Sequence, residues 1–407
     1  MKYYFLNYLD LGKADVKIVI NSEKEVVMKK LSKSHFPVES WTYKNIYVNG
    51  VKKSISEIWN IDICDGSIKV GNKFFKIRDY VLINETAIVK DINKTRNNWE
   101  NWWTKIRKKS DVDLYDKLWV ESERKLDAEP LFVESDFKNK VVMDAGCGVG
   151  RYEPLFSKFG AKNIIAVDLG KQVFKVYSQE MPKENIHPVQ SDLMSLPFKK
   201  EIFDTVASHG VLHHTPNPYK TFKNISNYLK IGGVQAIYVY HKEWWHFSAH
   251  SKSYFVDFAY STAILIWQSI RKITSRMPHW FIIGFCYLLA CKGTVDQSLK
   301  NSNSNFLQIL GKISFSIPPI CFIGVNFHER VVRNYDHYSA TFNYFQTIDE
   351  VTEWFRLAGF SDLSVASIPV SIRGTKYSKI QEPIKISLYK YISHFEFREL
   401  WERMYKK

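Results

Sequence analysis

Alternating apolar and polar positions dominate the first 90 residues. VKIVI (16–20), IYVNGVKK (46–53) and SIKVGNKFFKI (67–77) carry the two-residue period of half-buried strands. Asn49-Gly50 and Gly71-Asn72 sit between such runs as hairpin-turn dipeptides. Residues 1–90 are therefore expected to form a small β-rich accessory module. From 91 to 140 the spacing becomes helical, with Trp99, Trp102 and Trp103 near its start, and the tryptophans read as core or lid packing. Between 141 and 240 strand and helix patterns alternate. VVMDAG, NIIAVDL, HPVQSDL, FDTVASHG and GGVQAIYVY each read as a strand, the signature of a parallel sheet with crossover helices.

Residues 241–339 interrupt that alternation with three apolar stretches, 254–270, 277–290 and 306–325. Asp257, the Pro278-His279 pair and Pro318-Pro319 deny each an uncharged, unbroken run of 18 or more residues. Amphipathic or buried helices are expected rather than membrane spans, and a peripheral contact with a bilayer stays open. The α/β pattern resumes over 340–378. Thr347 and Glu350 form a capping box, Gly359 is the expected helix stop, and SDLSVASI and PVSIRGTKY are expected to be the last strands. Residues 379–407 read as a basic, aromatic-rich helical tail.

Composition changes this picture little. With 45% hydrophobic and 24% charged residues among 407, a disordered or fibrous chain is excluded. The net charge of +15 is spread along the chain and comes from 44 Lys against 13 Arg. Readers of phosphate and base edges favour Arg, so a solvated Lys-rich surface is the simpler reading and a nucleic-acid partner is disfavoured. Five cysteines without metal-ligand spacing, and a start lacking an apolar leader, point to a reducing cytoplasm.

The chemistry concentrates in VVMDAGCGVGRY, 141–152. An apolar strand ends at Asp144-Ala145, then Gly146, Cys147, Gly148, Gly150 and Arg151 lead into a helix pattern. Such glycines allow a tight turn and let a ligand approach the backbone. The spacing is GxGxG rather than the dinucleotide GxGxxG. Asp168-Leu169 follow at the end of the second strand, where a carboxylate can accept two ribose hydroxyls. Asp192-Leu193 end the third, where a carboxylate can accept an adenine amino group. His209-Gly210 and the SHGVLHH run end the fourth, beside a cofactor's reactive end.

These residues resemble the class I S-adenosylmethionine-dependent methyltransferases, and more narrowly the group whose fourth strand runs into GVLHHTxxP, here 210–218. YLKIGG (228–233) and DHYSATFNYFQTIDEVTEWFRLAGF (336–360) extend the likeness, which covers roughly 100–379. The resemblance implies an α/β, Rossmann-like sheet of seven strands with the last antiparallel, divided here as 141–240 plus 340–378, with 241–339 inserted as a helical lid. It implies S-adenosyl-L-methionine as the cofactor. Asp144 and the run Gly146 to Gly150 would hold the methionine moiety, Asp168 the ribose, and Asp192 with the Leu193 backbone the adenine. His209 and Gly210 would line the methyl-donor side.

His213 and His214 are the candidate bases, because imidazole titrates near neutrality. Tyr240, His241, Asp336, His337 and Tyr338 are further candidates, each as readily structural. Enzymes of this kind that act on exocyclic base amines carry an Asn/Asp-Pro-Pro-aromatic motif where this chain has SHGVLHH. The apolar insertion then favours oxygen or carbon of a small, partly hydrophobic acceptor. A nicotinamide-dependent dehydrogenase, a membrane-associated binder that has lost catalysis, and an enzyme docking RNA through residues 1–90 are the competing readings.

Overall fold

The computed structural model describes residues 3–25, 45–58, 61–84, 93–106, 130–178, 185–242, 265–316, 326–366, 370–378 and 386–388. The expected helical content of 107–129, the start of the first apolar stretch, the Pro318-Pro319 region and most of the tail lie outside these residues.

Strand periodicity translates closely into strands. The chain forms β1 (Val16–Glu25), β2 (Ile46–Val48), β3 (Val51–Lys53), β4 (Ile61–Val70), β5 (Lys73–Arg78) and β6 (Val81–Ile83) before the glycine-rich segment. Then come β7 (Val141–Ala145), β8 (Asn163–Asp168), β9 (Ile186–Gln190), β10 (Phe203–His209), β11 (Leu229–Tyr238), β12 (Phe360–Val365), β13 (Ser371–Lys376) and β14 (Ile386–Leu388). Among the described residues all fourteen join one sheet, ordered β14-β12-β13-β11-β10-β7-β8-β9-β6-β5-β4-β1-β2-β3. Its central part, β9-β8-β7-β10-β11, is parallel, and β13 runs antiparallel to both β11 and β12. Chain order reverses direction between β7 and β10. That is the topological switch point, where the carboxyl ends of two neighbouring strands leave a crevice.

Two expectations are corrected here. The sheet does not stop at seven strands, because residues 1–90 do not close on themselves. β6 pairs in parallel with β9, through Leu82 with Val189 and Ile83 with Gln190. One apolar core runs from Phe5 and Ile68 through Ile165 to Ile372. Phe5 stacks on His187 at 5.1 Å, and the Tyr8 hydroxyl accepts from Asn163 Nδ2 at 2.9 Å. The alternation revealed strands but carried no signal for which edge they would join. Second, residues 386–388 of the expected helical tail form a strand parallel to β12.

The helices are α1 (Asn93–Asn101), α2 (Glu153–Lys158), α3 (Pro218–Ser226), α4 (His279–Lys300), α5 (Asn305–Ser316), α6 (Phe327–Ser339) and α7 (Ile348–Leu357). Residues 265–274 are also helical. α7 carries the expected Thr347–Glu350 capping box, and Gly359 follows its end at φ +83°. The described parts of the interrupted stretches, 265–270, 279–290 and 306–316, are helical, and no helix among the described residues is long and apolar enough to cross a membrane. α4 and α6 share a core with Trp102 and Ile106 from the first part of the 91–140 segment. Trp102 Nε1 donates to Val332 O at 3.2 Å and Asn98 Nδ2 to Ser339 O at 2.7 Å, so lead-in and insertion are fastened together.

Candidate active site

The glycine-rich turn leaves β7 and is pinned to β8. Gly146 and Cys147 N–H both donate to Val167 O, at 2.8 and 3.0 Å. Gly148 N–H donates to Asp168 Oδ2 at 2.9 Å, while Gly170 N–H and Gln172 Nε2 donate to Oδ1 at 2.9 and 2.6 Å. Asp168 thus braces the turn. Burial pushes its carboxyl up to about 6, opposed by the Gly170 and Gly148 N–H groups. Trp103 lies directly over Gly148, and the Arg151 guanidinium stands 5.6 Å from the Trp103 ring. Burial also pushes the Cys147 thiol well up, which leaves it inert.

Asp144 is 3% exposed. Next to it lies Glu153, fully buried, and the two carboxyl groups share a hydrogen bond that favours the ionised form of Asp144 and the protonated form of Glu153. Burial, reinforced by Asp144, pushes Glu153 well above the carboxylate range. Burial carries Asp144 up to about 7, with Arg151 opposing. A neutral Glu153 beside a readily ionised Asp144 is the state this pairing favours. Glu153 was not anticipated, because an acid in a first helical turn is ordinarily a dipole partner.

Asp192 lies two residues beyond β9, where its Oδ1 accepts Met194 N–H at 2.9 Å, and burial raises its carboxyl. The carbonyls of its neighbours are engaged: Leu193 O accepts from Asn224 Nδ2 at 2.6 Å and Leu169 O from Gln190 Nε2 at 3.2 Å.

At the end of β10, Gly210 has φ +74°, and a Cβ there would meet open space. His209 stacks on Tyr238 at 4.6 Å and lies 4.8 Å from Tyr152. Burial holds His209 and His213 well below the imidazole range and lowers His214 and His337 to about 3, so all four are neutral at pH 7. The two candidate bases differ by their partners. His213 Nδ1 accepts Tyr240 N–H at 3.3 Å, which places its proton on the buried Nε2. His214 Nδ1 faces Phe342 O at 2.9 Å and must donate, which leaves its lone pair on Nε2. The Trp99 ring lies 4.6 Å from His214. The Tyr240 hydroxyl donates to Asp336 Oδ2 at 3.0 Å, and His337 lies 6.1 Å from the Tyr240 ring. His241 bridges to Gln346, and Tyr338 packs against Phe285 at 5.3 Å, so these two hold the scaffold.

Residues 143–237 match a family model described as a methyltransferase domain. The chain carries a class I S-adenosylmethionine-dependent methyltransferase domain. Among curated proteins it is similar to the tRNA U34 carboxymethyltransferase of Campylobacter fetus subsp. fetus, with 28% identity over 46% of this chain and 64% of that protein. It is also similar to the sterol 24-C-methyltransferase of Pneumocystis carinii, with 31% identity over 25% of this chain and 28% of that protein. The chain thus spans less than two thirds of these relatives' length. Among solved structures, an S-adenosylmethionine dependent methyltransferase from Mesorhizobium loti aligns with a TM-score of 0.27 and 21% identity, over 31% of this chain and 55% of that one. In this methyltransferase domain, the buried Asp144 carboxyl, which Glu153 holds toward its ionised form, and the open space at Gly210 fit what a sulfonium amino-acid nucleoside requires: an anion for its ammonium and room at its methyl.

Proposed function

We propose that this chain transfers a methyl group from S-adenosyl-L-methionine to oxygen or carbon of a small, partly hydrophobic acceptor. When bound, the donor supplies an activated methyl on a sulfonium. Asp144 would hold its ammonium, Asp168 its ribose hydroxyls and Asp192 its adenine, with Gly210 leaving the approach to the methyl clear. The observation that carries the acceptor reading is the enclosure at the carboxyl ends of β10 and β11. Trp99, His214, Tyr240 and, from the insertion itself, Asp336 and His337 converge there, and such a site would exclude water and align an acceptor. His214 Nε2 is the lone pair suited to take the proton of an acceptor hydroxyl. Its depressed basicity makes alignment the larger contribution.

Two measurements test this. Calorimetry with S-adenosylhomocysteine is expected to show one site per chain. Methyl-tritiated donor incubated with a cell extract is expected to label the small-molecule fraction, and label confined to RNA or protein overturns the reading. His214→Ala is expected to lower turnover about 10²-fold, the low end for a lost proton acceptor, with donor affinity unchanged.

A peripheral lipid contact through the insertion belongs to this reading. It is supported by Trp280, Leu288 and Phe306 of α4 and α5, which are 74%, 70% and 67% exposed. The full chain is expected to float with liposomes containing anionic lipid, and a Trp280→Ser/Leu288→Ser variant to remain in the dense fraction. The free thiols Cys64, Cys147, Cys286 and Cys291 fit a cytoplasmic location. An RNA acceptor is the second reading, favoured by the likeness to tRNA-modifying relatives and answered by the same labelling experiment.

A further inference from the structure

Building on that acceptor site, we propose that Arg271 is its anion receptor: the guanidinium binds a carboxylate or phosphate carried by the acceptor and so selects which molecules are methylated. Arg271 lies on the helical segment 265–274 of the insertion, four residues after Trp267, whose ring is 5.9 Å from His337. Arg271 is only 7% exposed. Its one hydrogen bond is a long one, Nη2 to Ala340 O at 3.4 Å, and Nε and Nη1 are buried with no partner among the described residues. Its charge reaches the reacting end of the site, since it opposes protonation of His214 and His337. Burial works against its charge, while Tyr344 and then Asp336 favour it, and one oxygen of Asp336 also accepts the Tyr240 hydroxyl.

Other arginines of this protein differ by their ion pairs. Arg373 Nη1 meets Asp136 Oδ2 at 2.7 Å, and Arg333 Nε meets Glu329 Oε1 at 3.0 Å. Burying a guanidinium with donors unmade is unfavourable, and such a group persists where a ligand completes it. A second observation points the same way. The segment joining Arg271 to His214 accepts from both, through Ala340 O and Phe342 O. Along it, Thr341 Oγ1 and both amide atoms of the buried Asn343 are also unpartnered. A planar or tetrahedral oxyanion would supply the acceptors that Arg271 Nε and Nη1 lack. It would anchor the acceptor beside the segment that His214 also meets, leaving the acceptor's apolar part for the aromatic walls.

The test uses the full chain saturated with S-adenosylhomocysteine. Sodium acetate and, separately, sodium phosphate are titrated against sodium chloride at matched ionic strength, reading the melting temperature. One of the two is expected to raise it saturably beyond chloride, and which one does so separates a carboxylate from a phosphate. Arg271→Met should abolish the rise and melt higher than wild type without anion, because an uncompensated buried charge is gone. Arg271→Lys should retain a response shifted to roughly tenfold higher anion concentration, the cost of losing the fork geometry. No saturable response in wild type, or an equal response in Arg271→Met, overturns the proposal. Calorimetry of S-adenosylhomocysteine with the same three proteins separates this from the donor reading. Absence of donor-product binding sinks the methyltransferase reading, whereas binding without an Arg271-dependent anion response sinks only the receptor.

Discussion

Gly146→Ala is expected to abolish donor binding and to destabilise the protein by about 3 kcal/mol. Gly146 has φ +94°, and forcing an L-residue into left-handed backbone costs roughly 1–2 kcal/mol. The new Cβ would also strike both Cγ atoms of Val211 and lie 2.9 Å from its Cβ. Overpacking of that kind adds about 1–3 kcal/mol. Neither side can yield cheaply. The turn is fixed by its N–H bonds to Val167 O, and Val211 immediately precedes the Leu212–His214 turn, so pushing it displaces both candidate bases. Gly232→Ala is the matched control. Its φ is +77°, but a Cβ there meets nothing within 4 Å. It should lose only the backbone cost and bind S-adenosylhomocysteine normally. Denaturant midpoints and calorimetry read both effects, and a Gly146→Ala protein that binds with unchanged affinity would show that the turn does not cradle the donor.

The contrast between these two glycines shows where the sequence could be read and where it could not. Spacing announced the turn, because GxGxG after an apolar strand and an acid has few other uses, and β7, β8, β9, β10 and β11 follow from local periodicity. The sheet order was legible only through the resemblance. The attachment of β6 to β9 was not legible at all, because backbone pairing between parallel edges leaves no trace in side-chain alternation. Site residues divide along the same line. Asp144 and Asp168 announce themselves by sitting at strand ends, but Asp168's second task, bracing Gly148 and Gly170, is a tertiary fact. Glu153 and Arg271 carried no local signal. An acid in a first helical turn and a basic residue on an amphipathic helix are what solvated surfaces also show, and burial alone distinguishes them. The two histidines are equal in the motif and become unequal only through Tyr240 N–H and Phe342 O.

Donor affinity is expected to rise with pH between about 5 and 7 and to level off above. In the unliganded protein Asp144 is raised to about 7 and Asp168 to about 6, both above the ordinary carboxylate value of 3.8. Between pH 4 and 7 the folded state therefore holds more protons at these groups than the unfolded chain. Stability of the unliganded protein falls as pH rises through that window, since charging these carboxyls in a dry site is unfavourable. An ammonium at Asp144 and hydroxyls at Asp168 favour the ionised forms, so binding expels protons wherever the free protein still carries them. Each expelled proton gives up to a tenfold gain in affinity per pH unit. Asp144→Asn should flatten most of that slope. It should also lower affinity at pH 8 about 10²-fold, the order of about 3 kcal/mol lost when one partner of a buried charge pair is removed, and stabilise the unliganded protein at the same pH. Glu153→Gln should keep the slope, because the amide still offers Asp144 a hydrogen-bond donor where the Glu153 carboxyl stood. Calorimetry of S-adenosylhomocysteine in buffers of differing ionisation enthalpy counts the protons directly. A wild-type affinity flat from pH 5 to 8, with no proton release, would remove Asp144 from the donor's ammonium.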